Sequence, residues 1–285
     1  FFFPVVVAFF FGALVQYISR IIFTFNYKSK MRWKAGLFGG IAVTAIIYFM
    51  LIKGVKDLSF MTAENKAFVH DHTALILGGC LVFFTVLMQI LHWCKVNVFK
   101  VVVLVGTFSL AMAFAGNDLV NFIGVPLAGY SSYQDYMSNG AGDPTGFLMG
   151  SLNGPAKTPL FFLIAAGAIM VFSLATSKKA HNVVKTSVDL SRQDTGDEVF
   201  GSSRVARSLV RWFTSVSAWV VDVTPERVRL WINSRFNQDE VQIENGAAFD
   251  LVRASINLVL AGLLIAMGTS LKLPLSTTYV TFMVG

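Results

Sequence analysis

A carboxylate and two carboxamides lie close together in a part of the sequence that is otherwise apolar. They belong to Asn117, Asp118 and Asn121, within residues 115–129. Residues four apart share a helix face, so the oxygens of Asn117 and Asn121 can converge with the adjacent carboxylate on a hard cation. An unpaired Asp at membrane depth is costly and generally faces a cavity or a counter-ion. These residues form the first candidate site; the alternative is a buried polar network that joins helices.

Hydroxyl side chains form a second candidate site near the end of the chain. Within residues 273–279, Pro274 is expected to end one helix, and Ser276 can cap the next one. A helix that starts there presents free N–H groups together with the hydroxyls of Ser276, Thr277 and Thr278. The positive N-terminal dipole, the amides and the hydroxyls suit an oxyanion. The alternative is that these hydroxyl residues serve helix packing alone.

Both sites interrupt the apolar pattern at membrane depth and contain residues that loosen or end a helix. Gly116, Gly124 and Pro126 loosen the helix around the first site, and the carbonyls and amides freed there need partners. Discontinuous helices that meet near the middle of the membrane are typical of secondary transporters, with anions at helix N-termini and cations at exposed carbonyls. We therefore predict that the two sites act together in a secondary transporter with broken or re-entrant helices.

The composition indicates which elements must hold these residues in place. Of the 285 residues, 55% are hydrophobic and 14% are charged, whereas an ordinary soluble domain has about 25% charged residues. This composition excludes disorder and most soluble enzymes, makes nucleic acid a poor partner hypothesis, and predicts an all-α polytopic membrane protein. Spans of about 20 apolar residues are predicted at 1–18, 35–52, 73–93, 96–115, 159–176 and 249–273.

The distribution of basic residues predicts the orientation of the spans. The net charge is +7, and loop 19–34 carries basic residues without an acidic one, which places it in the cytoplasm by the positive-inside rule. Loops 53–72 and 130–158 contain acidic residues beside basic ones and are predicted outside. Loop 177–248 opens with two lysines and is predicted inside, so we expect a multi-pass protein of the plasma (inner) membrane.

The chain divides into four regions. Residues 1–95 contain the first spans and their loops, and residues 96–176 contain the motif with Asp118. Residues 177–248 form the cytoplasmic loop, and residues 249–285 contain the last span and the re-entrant segment.

The cytoplasmic loop is expected to be partly helical. Arg204, Arg207 and Arg211 share one face of a helix whose other side is apolar, which is typical of a helix on a membrane surface. Thr224 as cap and Pro225 at the first helical position predict a second amphipathic helix. Regulation or partner docking is the alternative role.

Other residues that could bind a ligand or take part in a reaction have simpler interpretations. The histidines and the aspartate of residues 70–72 are expected in a solvated outer loop rather than at a metal. Asp250 and Arg253 are expected to pair locally, although Arg253 and Asn257 share a face and can also point into a cavity. No nucleotide-binding, metalloprotease or nucleophile-elbow motif occurs. We expect no catalytic residue, no cofactor and no metal beyond a transported cation.

The two motifs resemble those of a known family, the PiT-type inorganic phosphate transporters. The family signature is similar to G-A-N-D-V-A-N-A-x-G-P-L-A, which residues 116–121, Gly124 and residues 126–128 match. A second family motif, P-V-S-T-T-H, is matched by residues 274–278. The resemblance covers about residues 96–285, and the departures from the family pattern are the order Ala115-Gly116, Phe122, Val125 and Tyr279.

The resemblance implies a cation-coupled symporter of inorganic phosphate that is built from two inverted repeats and works by alternating access. The matched residues around Asp118 would then help to bind phosphate and the coupling cation, Na⁺ or H⁺, and residues 276–278 would line the same site. Each motif occurs once in this chain, so the first repeat is expected upstream of Phe1 in a longer protein. A sulfate or other oxyanion permease and a non-transporting scaffold or subunit are the alternatives; a homodimer is left open.

Overall fold

A computed structural model describes residues 2–24, 33–49, 63–140, 145–148, 150–154, 158–192, 204–236, 250–271, 273 and 275–285. These residues form helices and no strand, so the all-α prediction is confirmed. The α-helices are α1 (Phe2–Phe23), α2 (Lys34–Ile47), α3 (Ala63–Asp71), α4 (Thr73–Trp93), α5 (Val98–Phe114), α6 (Val120–Asn139), α7 (Leu160–Thr176), α8 (Lys178–Asp189), α9 (Arg204–Val223), α10 (Glu226–Arg235), α11 (Leu251–Ser270) and α12 (Thr277–Val284). A π-helical turn (Ala115–Leu119) joins α5 to α6, and a 3₁₀ turn (Gly150–Asn153) precedes α7.

Within these ranges, four helical segments are long and apolar enough to cross a membrane. They are Pro4–Phe23, Thr73–Trp93, Val98–Asn139 and Leu251–Ser270. The pair α7 and α8 makes a fifth if it is counted as one span, with a bend of 71° between the two helices. This set of apolar helices is that of a membrane-embedded, multi-pass protein. The predicted span 35–52 is described as far as residue 49, and its α-helix, α2, has 14 residues.

The span that was predicted to end at residue 115 continues far beyond it. α5, the π turn and α6 form one segment of 42 residues, and Pro126 lies inside α6. The helix that Pro126 was expected to loosen therefore continues through this residue, and residues 130–139 are helix rather than outer loop. Apolar residues continue on both sides of the motif, and membrane helices tolerate Pro where neighbouring groups satisfy the freed carbonyl. The loosening predicted around Gly116 takes the form of the π turn.

α11 is the central helix of the described bundle, and half of its apolar window is buried. It approaches α5 closely at Gly106, where a Cβ atom would lie 3.0 Å from Cβ of Leu258. α12 follows α11 and packs on α1, where a Cβ atom on Gly12 would lie 2.7 Å from the carbonyl oxygen of Val284. α11 therefore determines how α12 lies relative to α5 and α6.

Glycines also bring α2 against α4. Gly36 and Gly40 lie one helical turn apart on α2, and a Cβ atom on Gly40 would lie 2.7 Å from Cα of Thr85 on α4. Small residues allow close backbone approach between membrane helices, where packing rather than the hydrophobic effect drives association. By contrast, Gly78 of α4 has open space beside it.

A buried ion pair connects the end of α1 to the start of α11. The side chains of Arg20 and Asp250 are 7% and 8% exposed and form this pair across 230 residues of sequence. Asp250 is also the N-cap of α11, because its carboxylate accepts a hydrogen bond from Val252 N at 2.9 Å. Asp250 therefore pairs with Arg20 rather than with Arg253 as predicted, since the capping geometry turns its carboxylate toward the helix terminus.

Arg253 has main-chain partners instead. Its guanidinium donates hydrogen bonds to the carbonyl oxygens of Arg192 at 3.2 Å and Gly285 at 2.8 Å. The amide of Asp250 donates to the carbonyl oxygen of Ser191 at 3.0 Å. These hydrogen bonds hold the ends of α8 and α12 at the start of α11.

The two helices predicted in the long loop are present as α9 and α10, and of these α9 has the pronounced apolar face. Trp212 and Trp219 of α9 are exposed, as is Trp231 of α10. α10 begins at Glu226, and the extended residue Pro225 occupies the N-cap position without a capping hydrogen bond from its side chain. The prediction of Thr224 as cap and Pro225 as the first helical residue is therefore one position too early.

Residues 70–72 also differ from the expected loop. Asp71 is the last residue of α3, and His72 is the N-cap of α4, with its Nδ1 atom 3.0 Å from the carbonyl oxygen of Phe68. Among the described residues, no group of three or more His, Cys, Asp and Glu side chains is placed to hold a metal ion.

Replacing Asp250 with Asn should destabilise the protein strongly, because Arg20 would keep a buried charge without its carboxylate. Breaking a buried ion pair typically costs about 3–5 kcal/mol. Asp189→Asn is the matched control: Asp189 pairs with Arg192 at 3.2 Å, with side chains 43% and 46% exposed, and exposed pairs contribute about 0–1 kcal/mol. Thermal unfolding of the full-length protein in detergent measures both variants. Equal midpoints would contradict this role of Asp250.

Gly40→Leu should separate α2 from α4, because the new side chain would meet the backbone of Thr85 at a Cβ distance of 2.7 Å. Overpacking of this kind typically costs about 1–3 kcal/mol. Gly78→Leu is the control, since nothing lies within 4 Å of its Cβ position. A lower unfolding midpoint is expected for Gly40→Leu alone. A similar loss in both variants would mean that the close approach at Gly40 is not the cause.

Candidate functional site

The π turn carries the first candidate motif. Each of its turns holds more residues than an α-helical turn, and single π turns inside α-helices occur frequently at functional sites. Asn117 is buried, with 9% of its surface exposed, and Asp118 beside it is half-buried. Gly116 has open space within 4 Å of its Cβ position. The motif thus has a buried amide and a carboxylate next to unfilled space.

The start of α12 carries the second motif, as its sequence predicts. Ser276 is the N-cap, and its hydroxyl accepts a hydrogen bond from Tyr279 N at 3.5 Å. The predicted cap at Ser276 is therefore confirmed. Thr277 follows as the first helical residue and is only 3% exposed. Pro274, which was predicted to end the preceding helix, lies outside the described residues.

The two motifs meet through their side chains, although 159 residues separate them. The Thr277 hydroxyl donates to the carboxylate of Asp118, with Oγ1 2.9 Å from Oδ2 and 3.2 Å from Oδ1. The side-chain amide of Asn117 donates to Oδ1 of Asp118 at 2.9 Å. One carboxylate therefore accepts hydrogen bonds from both motifs.

The charge of Asp118 is balanced here by hydrogen bonds. No Lys or Arg side chain in the described ranges forms an ion pair with it. A half-buried carboxylate in this setting favours a cation, because a cation would offset the cost of its charge. The carbonyl oxygen of the Asn117 side chain and the Thr277 hydroxyl supply further oxygens of the kind that hard cations prefer.

The other predicted residues of the two motifs have no hydrogen bond to Asp118 among the described contacts. Asn121 is exposed on α6, and Thr278 is exposed on α12. Ser276 is half-buried, and its hydroxyl serves as the cap. The structure thus brings Asn117, Asp118 and Thr277 together and places Ser276 beside them in the chain.

Of the two residues that were predicted to point into a cavity, Arg253 and Asn257, only Asn257 lines one. Asn257 lines a cavity between α5, α8, α11 and α12, together with Thr278. Arg253 donates to main-chain carbonyls and is not among the residues that line this cavity. α8 also lines this cavity and was not among the predicted site elements. The signal was available, because apolar residues recur at helical spacing from Val183 to Leu190.

Comparison with models of protein families, with curated proteins and with solved structures found no match to this chain. The candidate site is defined by the geometry of three residues, Asn117, Asp118 and Thr277. Its chemistry is that of an oxygen-rich, anionic site at the start of a short helix.

Thr277→Val should destabilise the protein by removing the hydroxyl that donates to Asp118. A hydrogen bond to a charged group contributes about 1.5–3 kcal/mol, and Val keeps the shape of the side chain. Thr278→Val is the matched control on the next residue, which is exposed, and surface substitutions usually stay within about 0.5 kcal/mol. The unfolding midpoints of the purified variants measure the difference. If both variants unfold at the same temperature, the contact with Asp118 does not contribute to stability.

Proposed function

We propose that this chain is part of a symporter that couples inorganic phosphate to a cation, Na⁺ or H⁺. One observation carries the proposal: the Thr277 hydroxyl of the second motif donates to the carboxylate of Asp118 in the first motif. A cation-binding group and an oxyanion-binding group are then neighbours in one site. The resemblance of both motifs to the PiT-type transporters supports the same function.

The start of α12 supplies the phosphate-binding groups. The first amides of a helix lack acceptors within the helix, and the helix dipole favours an anion at that end. The Ser276 and Thr277 hydroxyls lie at the same terminus and can donate to phosphate oxygens or accept from a protonated one. Amides and hydroxyls do not neutralise the charge of phosphate, so phosphate there needs a source of positive charge.

The coupled cation is that source. It binds at the Asp118 carboxylate with help from the carbonyl oxygen of Asn117, and it neutralises both the carboxylate and part of the phosphate charge. Charges of opposite sign interact strongly in a site that is shielded from water. Each ligand therefore raises the affinity for the other, and this reciprocal effect is the coupling.

Thr277 connects the two binding events. Its single hydroxyl proton points to Asp118 in the present structure. A cation at Asp118 competes with this proton, so the hydroxyl turns its lone pairs to the cation and its proton becomes available to phosphate. Cation binding thus prepares the phosphate site.

The proposal includes a wider architecture. The protein is a multi-pass protein of the plasma membrane, and a second, inverted repeat completes the site. Alternating access then arises from rocking of the two repeats around the fixed site.

Asp118→Asn should strongly lower cation-driven phosphate uptake, because it removes the charge while it keeps the shape of the side chain. Losing a charge-assisted contact of about 1.5–3 kcal/mol corresponds to a decrease of roughly tenfold or more. Uptake of labelled phosphate into proteoliposomes with the full-length protein, under a Na⁺ or a proton gradient, is the measurement. Asp135→Asn is the matched control, because Asp135 accepts its hydrogen bond from Asn139 within α6, away from the site.

The same assay separates the proposed function from its alternatives. Cation-driven uptake that survives in Asp118→Asn would remove Asp118 from the mechanism. Uptake of sulfate that phosphate does not inhibit would change the substrate and keep the site. No flux of either anion under either gradient would favour a non-transporting membrane subunit.

A further inference from the structure

A large apolar cavity lies beside the candidate site without including its central residues. Its volume is about 540 Å³, within the range of about 300–1,000 Å³ that small-molecule sites occupy. Neither Asp118 nor Thr277 lines it. The side chains that make it apolar come from α5, α8, α11 and α12 and include Val103, Leu110, Phe114, Val184, Val188 and Phe282.

Five of the six hydroxyl groups among the described lining residues are already satisfied, because each donates to a main-chain carbonyl oxygen one helical turn earlier. The sixth belongs to Thr278, which is exposed. The five bonds run from Thr107 to Val103, Thr186 to Asn182, Ser187 to Val183, Ser191 to Ser187 and Thr281 to Thr277, at 2.8–3.3 Å. The cavity therefore suits a ligand that is apolar along most of its length. It does not suit phosphate.

One polar donor in the cavity differs from these hydroxyls. The side-chain amide nitrogen of Asn257 is buried and has no hydrogen-bond partner in the part of the chain that the structure describes. Leaving a buried donor unpaired is costly, so a ligand with an acceptor oxygen next to its apolar part would bind better than a pure hydrocarbon.

α8 adds a charge preference on its other face. Lys178, Lys179 and Lys185 are exposed on this helix, while its apolar face lines the cavity. The helix turns away from α7 by 71°, and an amphipathic helix with lysines on its polar face typically lies at a membrane surface and attracts anionic lipids. An amphiphile that fits both faces has an apolar chain and an anionic head.

We propose that the cavity binds one acyl chain of an anionic phospholipid. The chain lies between α5, α8, α11 and α12, an ester oxygen accepts from the Asn257 amide, and the headgroup lies near the lysines of α8. Because α8 and α12 both contact this lipid and are both held at the start of α11, the lipid stabilises the arrangement of the two helices. This site is separate from the proposed phosphate site.

Photolabelling of the full-length protein tests the proposal. The probe is a phosphatidylglycerol with a diazirine on its acyl chain, present at low fraction in phosphatidylcholine vesicles that contain the protein. Mass spectrometry then locates the label along the chain. We expect label on α5, α8 and α12, and competition by unlabelled phosphatidylglycerol but not by added phosphatidylcholine.

Variants that fill the cavity provide the specific control. Ala111→Phe and Val184→Trp should each lower the labelling of these helices roughly tenfold, because their rings occupy the volume of the lipid chain. Ala168→Phe makes the same change as Ala111→Phe on exposed α7, outside the cavity, and should label like the unmodified protein. The midpoint of thermal unfolding checks that each variant is folded. If one of the two filling variants does not fold, the other one provides the test.

Three results would overturn the proposal. The first is unchanged labelling in both filling variants. The second is labelling of the exposed face of α4 to the same extent as α5, α8 and α12. Such labelling would indicate general contact of the probe with the bilayer, or a cavity that is occupied by protein. The third is equal competition by phosphatidylcholine, which would exclude the preference for an anionic head.

Discussion

The carboxylate of Asp118 needs hydrogen-bond donors, because a charged group among apolar helices is costly without them. It obtains one from Asn117 beside it and one from Thr277 far along the chain. The second bond requires that the start of α12 lies against the π turn. α11 provides this position, since it packs on α5 along its length and leads into the segment before α12. The hydrogen bond to Asp118 thus links the long helix to the short terminal helix that α11 positions.

The opposite end of α11 has its own fixed point. Arg20 and Asp250 pair there with little exposure to solvent, and Arg253 holds two main-chain carbonyls from neighbouring segments. α11 is therefore attached at its start by charges and along its length by close packing at Gly106 and Gly262. The site at Asp118 depends on this attachment, because a displaced α11 would move Thr277 away from the carboxylate.

The sequence predicts local features of this chain better than long-range contacts. The all-α character follows from long apolar runs, and the cap at Ser276 follows from residue type alone. The sequence predicted that Asp118 and Thr277 belong to one site, but it did not predict the hydrogen bond between their side chains. The partner of Asp250 was predicted wrongly, because helical spacing favours Arg253, whereas the tertiary fold brings Arg20 to it. Pro126 was predicted to loosen its helix, and α6 nevertheless continues through it, because helix propensity takes no account of neighbouring groups that can satisfy the freed carbonyl.

The π turn has a consequence for the two helices that it joins. A helix that gains one residue within a turn is shifted in rotational phase by about 100°, the angle between successive residues of an α-helix. The surface that α6 presents therefore does not continue the surface of α5. Phe122 and Val125 are both 79% exposed, on a helix whose preceding half buries Phe99 and Val102 completely. The single long helix thus contributes to the core in its first half and lies at the periphery of the described bundle in its second.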